Sequence, residues 1–115
     1  MDNMTVYEKN RVLKESLITR KVYCGLLSRG QEIGSGSYER MLVSFTEPSK
    51  GQVTNSGDIE FPVAKEMWGD VTDIALYDAK SGGNIVWLGQ PEVVKKVSIA
   101  SQYKIPKGYM IVRFK

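Results

Sequence analysis

Beyond Thr19 no apolar run lasts long before glycine, proline, asparagine or aspartate interrupts it, and this punctuation constrains the fold more than any other feature. Short apolar stretches cut by turn residues are the signature of antiparallel β structure. The first strand is expected at Lys21 to Ser28, followed by a loop, Gly34-Ser35-Gly36-Ser37, that reads as flexible. Met41, Val43 and Phe45 then alternate with Leu42 and Ser44 in a strand that ends near Pro48. Ile59 and Phe61 share one side of a short strand closed by Pro62, which lacks a ladder donor. Val71 to Ala79 is apolar on both sides through Ile74-Ala75-Leu76-Tyr77 and reads as a central strand. Lys80-Ser81-Gly82-Gly83-Asn84 is a turn whose glycines supply positive φ, and Ile85 to Gly89 returns as its partner with Trp87 in the core. Val97 and Ile99 share a face, Pro106-Lys107-Gly108 turns the chain, and Met110, Val112 and Phe114 oppose Tyr109, Ile111 and Arg113 in the last strand. About seven strands with short turns imply a mostly β fold, an antiparallel β-sandwich or jelly roll over residues 21–115.

The segment before Thr19 has a different period. Thr5 and Glu8 stand at capping-box spacing, in which hydroxyl and carboxylate each satisfy a free backbone donor. Val6, Leu13 and Leu17 recur at helical spacing among polar neighbours, so one N-terminal α-helix is expected over residues 5–18. Its apolar stripe is narrow, as for a helix lying on a surface or against a neighbouring subunit. On that reading Leu13→Asp would disturb assembly more than folding. With 115 residues the chain has the size of one domain, 1–115.

Composition removes most catalytic chemistry. There is no histidine, hence no Ser-His or Cys-His dyad and no imidazole ligand. The single cysteine, Cys24, lies in the apolar run Val22-Tyr23-Cys24-Gly25-Leu26-Leu27 and reads as a buried, inert thiol. No apolar stretch has the length to cross a bilayer, and no basic region followed by an apolar core marks a secretory signal, so synthesis in a cytoplasm is expected. The formal charge of +3 is spread along the chain and mainly supports solubility.

The remaining constellations read as structural. Gly34-Ser35-Gly36-Ser37-Tyr38-Glu39 lacks the third glycine and the βαβ setting of a dinucleotide loop. Asp73 and Asp78 differ by an odd number and face opposite sides of one strand; with Asp70 they supply too few ligands in one loop for calcium. Asp78 is placed to cap the following turn. Trp68, ahead of a strand, can cover the end of the core or meet a partner. Tyr103-Lys104, Tyr109, Arg113 and Lys115 interleave aromatics with cations, as small β domains do when they grip single-stranded nucleic acid, and as any half-wet sheet also does.

The order of these motifs resembles a family of small virion proteins of tailed bacteriophages, described as tail-fibre or minor tail structural proteins. The matching words are Val22-Tyr23 with Gly25-Leu26-Leu27, Gly36 with Tyr38, Glu39 and Arg40, then Val43 and Phe45. They continue with Asn55, Ile59, Phe61-Pro62, Trp68-Gly69-Asp70-Val71-Thr72, Ile74-Ala75-Leu76-Tyr77-Asp78-Ala79, Gly82-Gly83, Leu88-Gly89 and Ile105-Pro106-Lys107-Gly108. The resemblance spans about Lys21 to the C-terminus. It implies a virion building block with no catalytic residue, metal or cofactor, located on a tail, baseplate or fibre, with capsid decoration or a head fibre as the alternative. The expected partners are other virion proteins and further copies of the chain, with host-surface carbohydrate as a further candidate, no membrane, and nucleic acid as the contrasting class. Val6, Leu13, Leu17, Tyr38 and Trp68 are the expected interface residues.

Overall fold

The structure is a computed structural model that describes residues 4–113; Phe114 and Lys115, placed above in the last strand and in the cationic set, lie outside the described residues. The helix begins where its cap requires. Thr5 Oγ1 accepts the Glu8 N–H at 3.2 Å, but the Glu8 carboxylate turns instead to Arg11, which donates through Nε at 2.7 Å and Nη2 at 2.6 Å. Half of the capping box therefore forms. Helix α1 (Val6–Leu13) continues into one π turn, Lys14–Ile18, in which the Thr19 N–H reaches Lys14 O at 3.0 Å.

Eleven short strands follow among the described residues, more than the seven or so expected: β1 (Val22–Ser28), β2 (Gln31–Glu32), β3 (Met41–Val43), β4 (Gln52–Thr54), β5 (Ile59–Glu60), β6 (Gly69–Val71), β7 (Asp73–Tyr77), β8 (Ile85–Gly89), β9 (Lys95–Val97), β10 (Lys104–Ile105) and β11 (Ile111–Arg113). All their pairings are antiparallel. A central sheet runs β2-β1-β7-β8, with β3 also paired to β1. Three two-stranded ribbons, β5 with β10, β4 with β11, and β6 with β9, complete a sandwich-like mostly β architecture with one N-terminal helix.

The extra strands arise where expected ones break. Val71 to Ala79 is two strands, because Thr72 hands the chain from one partner to another. Its N–H donates to Leu27 O at 2.9 Å and its hydroxyl accepts the Arg29 N–H at 2.8 Å, so β6 pairs with β9 and β7 with β1 and β8. Ile99 does not share the buried face of Val97. The Ser101 N–H closes on Ser98 O at 3.0 Å and Ala100 adopts a φ of +71°, which ends the strand and leaves Ile99 exposed. The Lys80–Asn84 turn forms as expected, with Gly82 and Gly83 at φ of +65° and +70°. Asp78 Oδ1 caps it by accepting the Asn84 N–H at 2.8 Å.

One face of the central sheet supplies Val22, Cys24, Leu26, Ile74 and Leu76 to the main core, and the ribbons return Val53, Ile59, Val71, Val97, Ile105 and Val112 against it. Leu13 and Leu17 belong to this same cluster. Their burial corrects the picture of a free helical stripe: α1 packs on β4, and Asn10 Oδ1 holds the Gly51 N–H at 2.9 Å. Val6, two turns earlier, stays exposed. Asn55, fully buried, ties the turn before β11 to the core through Nδ2 donations to Gly57 O and Pro106 O and by accepting the Met110 N–H. Burial pushes the Cys24 thiol well above its ordinary range, which makes it inert.

Candidate assembly surface

The two faces of the central sheet differ, and the face turned away from the core carries the chain's most concentrated polar construction. Register places Leu42, Tyr23, Tyr77 and Ile85 in one cross-strand row on β3, β1, β7 and β8, with Gly25, Ala75 and Leu88 in the next. Arg40, just before β3, lies across these rows. Its guanidinium carbon stands 3.4 Å from the Tyr77 ring centroid. Nε and Nη2 donate to Glu32 Oε2 and Oε1, each at 2.8 Å, and Nη1 donates to Ala79 O at 2.9 Å and Gly82 O at 2.7 Å. One side chain, only 9 % exposed, thus fastens the end of β2 and the β7–β8 turn to the sheet.

Tyr38 completes the network from the other side. Its hydroxyl donates to Glu32 Oε2 and accepts the Leu26 N–H at 3.0 Å, filling a gap in the edge ladder between β2 and β3. Its ring stacks on Phe61 and meets Trp68 edge-on at 5.5 Å. Burial works against the Glu32 carboxylate, but the hydrogen bonds from Arg40 and Tyr38 outweigh it and hold its pKa below the usual carboxylate range. Burial, then the Glu32 carboxylate, pushes the Tyr38 phenol up. A group depressed in the folded state stabilises above its unfolded pKa, and that contribution disappears as pH falls through the folded value. Stability should therefore fall progressively below about pH 4.5, read as tryptophan fluorescence against pH. Glu32→Gln should flatten that slope while lowering stability at neutral pH.

Gly25 is the residue that admits this network. A Cβ there would stand 2.6 Å from Tyr77 Cε2, 2.9 Å from the Tyr38 hydroxyl and 3.1 Å from Glu32 Oε2. Gly25→Ala must therefore displace the Tyr77 ring or the Glu32–Tyr38 contact, and should cost about 1–3 kcal/mol in urea unfolding. An unchanged midpoint would show that the aromatic lid moves freely.

The glycine- and serine-rich loop is fastened rather than loose. Ser37 Oγ accepts from Trp68 Nε1 at 3.0 Å and from the Lys65 N–H at 3.1 Å, while Ser35 Oγ donates to Glu66 at 2.6 Å. Trp68 is consequently buried, with its one polar atom satisfied. Of the five expected interface residues, Leu13, Leu17 and Trp68 are spent inside the chain, Tyr38 is half-buried in the network, and Val6 is exposed. A sugar site built on Trp68 loses its exposed ring. Tyr103 is buried against Phe61 while Tyr109 is 76 % exposed, so these tyrosines do not form one stacking platform. Asp73 accepts from the Thr72 hydroxyl, and among the described residues no group of three acidic or thiol side chains gathers to hold an ion.

The apolar surface lies elsewhere. β8 is the outer strand of the sheet, and Trp87, opposite Leu76, is half-buried and packs against the main core as expected. A bulge sets Ile85 opposite Tyr77, on the same face as Leu88, and Ile85, Val86 and Leu88 are all exposed. A groove of about 650 Å³ runs beside this strand, lined by Trp87, Leu88, Gly89, Ile111 and Arg113. Sequence reading missed both features. Gly25 within an apolar strand was the available sign of a close approach, and the lack of charge in Ile85-Val86-Trp87-Leu88-Gly89 was the sign of the edge. Among the described residues no helix is long and apolar enough to cross a membrane.

A family model described as podophage GP4 fiber I protein gp80 matches residues 24–113, which takes in every strand from Cys24 onward and leaves out the helix. No curated protein matches the chain.

Proposed function

Because the chain belongs to the podophage GP4 fiber I protein family, we propose that it is a non-enzymatic structural subunit of the virion, acting as one domain at a tail, baseplate or fibre position. The subunit associates with its own copies and docks on other virion proteins. The family match carries this reading, and the exposed apolar strand β8 beside its groove supports it. An exposed apolar strand edge is a template for pairing with another chain, and a structural subunit needs such a surface where an enzyme would need a cleft. The strands are short and held by side-chain clamps such as Arg40 and Asn55, which suits a part that must hold shape under load. Capsid decoration is the alternative position, with the same physics.

Cryo-electron microscopy of phage particles encoding the chain tests the proposal. Density for the sandwich on the tail or its fibres is the expected result. Density on the shell would make the chain a decoration protein or head fibre, and its absence from intact particles would overturn the virion role. In the last case, retardation of labelled single-stranded DNA at low salt would be the next measurement.

A further inference from the structure

We propose that the polar cavity between the end of β2 and the β7–β8 turn binds a neutral saccharide through a pair of adjacent hydroxyl groups. This goes beyond the structural role above and does not depend on it. The cavity measures about 470 Å³, within the range of small-molecule sites, about 300–1,000 Å³. Glu32, Arg40, Lys80 and Ser81 line it, together with Glu39 and the Tyr38 phenol. Its most buried group is Arg40, 9 % exposed. The Tyr77 ring beside the guanidinium and the carbonyls of Ala79 and Gly82 hold it in place before any ligand arrives, which limits the ordering cost of binding.

A count of the hydrogen bonds shows what the cavity still offers. Four of the five Arg40 N–H groups are spent, through Nε and Nη2 on Glu32 and through Nη1 on Ala79 O and Gly82 O. Glu32 accepts three bonds, two at Oε2 and one at Oε1, of the about four that a carboxylate takes. Among the described residues one donor at Nη2 and one acceptor at Oε1 remain. The two N–H groups of one nitrogen diverge in the guanidinium plane, so a single hydroxyl does not reach both. Two neighbouring hydroxyls do: one accepts from Nη2 and the next donates to Oε1.

Charge and lining select the class of ligand. Glu32 and Glu39 offset Arg40 and Lys80, so neither an anion nor a cation gains net attraction in the cavity. A carboxylate would leave Glu32 Oε1 without a donor, and an ammonium would leave Arg40 Nη2 without an acceptor. Apart from the Tyr38 ring no apolar side chain lines the space, so an apolar strand or helix would gain no burial there. Glu39 and Lys80 share the lining without forming an ion pair among the described residues. With the Ser81 hydroxyl they supply the further donors and acceptors that a ligand rich in hydroxyls uses.

Amide NMR of the isotope-labelled full chain, titrated with D-glucose, D-galactose and D-mannose, tests the site. At least one hexose should shift the Lys80, Ser81 and Gly82 amides saturably at millimolar concentration, whereas sodium acetate and butylammonium chloride at the same concentration should not. Ser81→Leu, at an exposed position whose side chain takes no part in the Arg40 network, should weaken binding about tenfold or more with an unchanged melting profile. Tyr109→Ser, at an exposed ring outside this cavity, should bind as the wild type does. Silence of these amides toward all three hexoses, equal shifts from the charged probes, or binding kept in Ser81→Leu and lost in Tyr109→Ser would each overturn the site. A chain found on virions without such shifts would overturn this inference alone and leave the structural role standing.

Discussion

Replacing Arg40 with methionine is expected to lower the unfolding free energy by about 3 kcal/mol, toward the low end of the 3–5 kcal/mol range for a broken buried pair. The low end applies because the Glu32 side chain keeps 26 % of its exposure, so water recovers part of its charge. The cost has three sources. Glu32 loses its bidentate partner, Ala79 O and Gly82 O lose their donor, and the Tyr77 ring loses the cation above it. Urea unfolding of the single and double variants separates them. Adding Glu32→Leu to Arg40→Met removes the orphaned carboxylate and should recover 1 kcal/mol or more, about the coupling expected for contacting residues. A loss below about 1 kcal/mol for Arg40→Met alone would mark the pair as an ordinary surface ion pair, with no role as a clamp.

Leu13→Asp is expected to abolish the fold. Leu13 is 5 % exposed and shares the main core with Leu17 and Val53. A carboxylate there would sit within the apolar core cluster, and its desolvation rivals the whole stability of a small domain, about 5–15 kcal/mol. Circular dichroism should show lost β signal for the isolated chain. Leu13→Ala, which leaves only a cavity, should remain folded and lose about 2–5 kcal/mol. Val6→Asp, on the exposed first turn, should change stability by no more than about 0.5 kcal/mol. If Leu13→Asp folded normally and only altered self-association, the helix would be an interface element and its packing on β4 would be dispensable.

Local chemistry made much of the fold legible in advance. The cap at Thr5, the Lys80–Asn84 turn with its two positive-φ glycines, the β7–β8 hairpin and the alternation of Met110 and Val112 against Tyr109 and Ile111 all follow from interactions within a few residues. The absence of histidine likewise narrowed function before any contact was known. What period and propensity carry is whether a residue faces in or out and where the chain reverses.

They do not carry what the inward side meets. A narrow stripe of Leu13 and Leu17 satisfies the same pattern whether β4 or a neighbouring subunit covers it, and tertiary packing supplied β4. Trp68 and Trp87 are chemically alike, yet one is sealed by Ser37 and the other stands in the outermost strand, because sheet order is a long-range outcome. The Arg40 clamp joins positions 32, 40, 77, 79 and 82, separations at which a one-dimensional pattern holds no information. Residue types alone thus determined a mostly β, turn-rich chain without imidazole chemistry. Only the three-dimensional packing decided which apolar residues were consumed by the core and which, along β8, were left exposed, since burial is a property of pairs of surfaces and the sequence writes down one surface at a time.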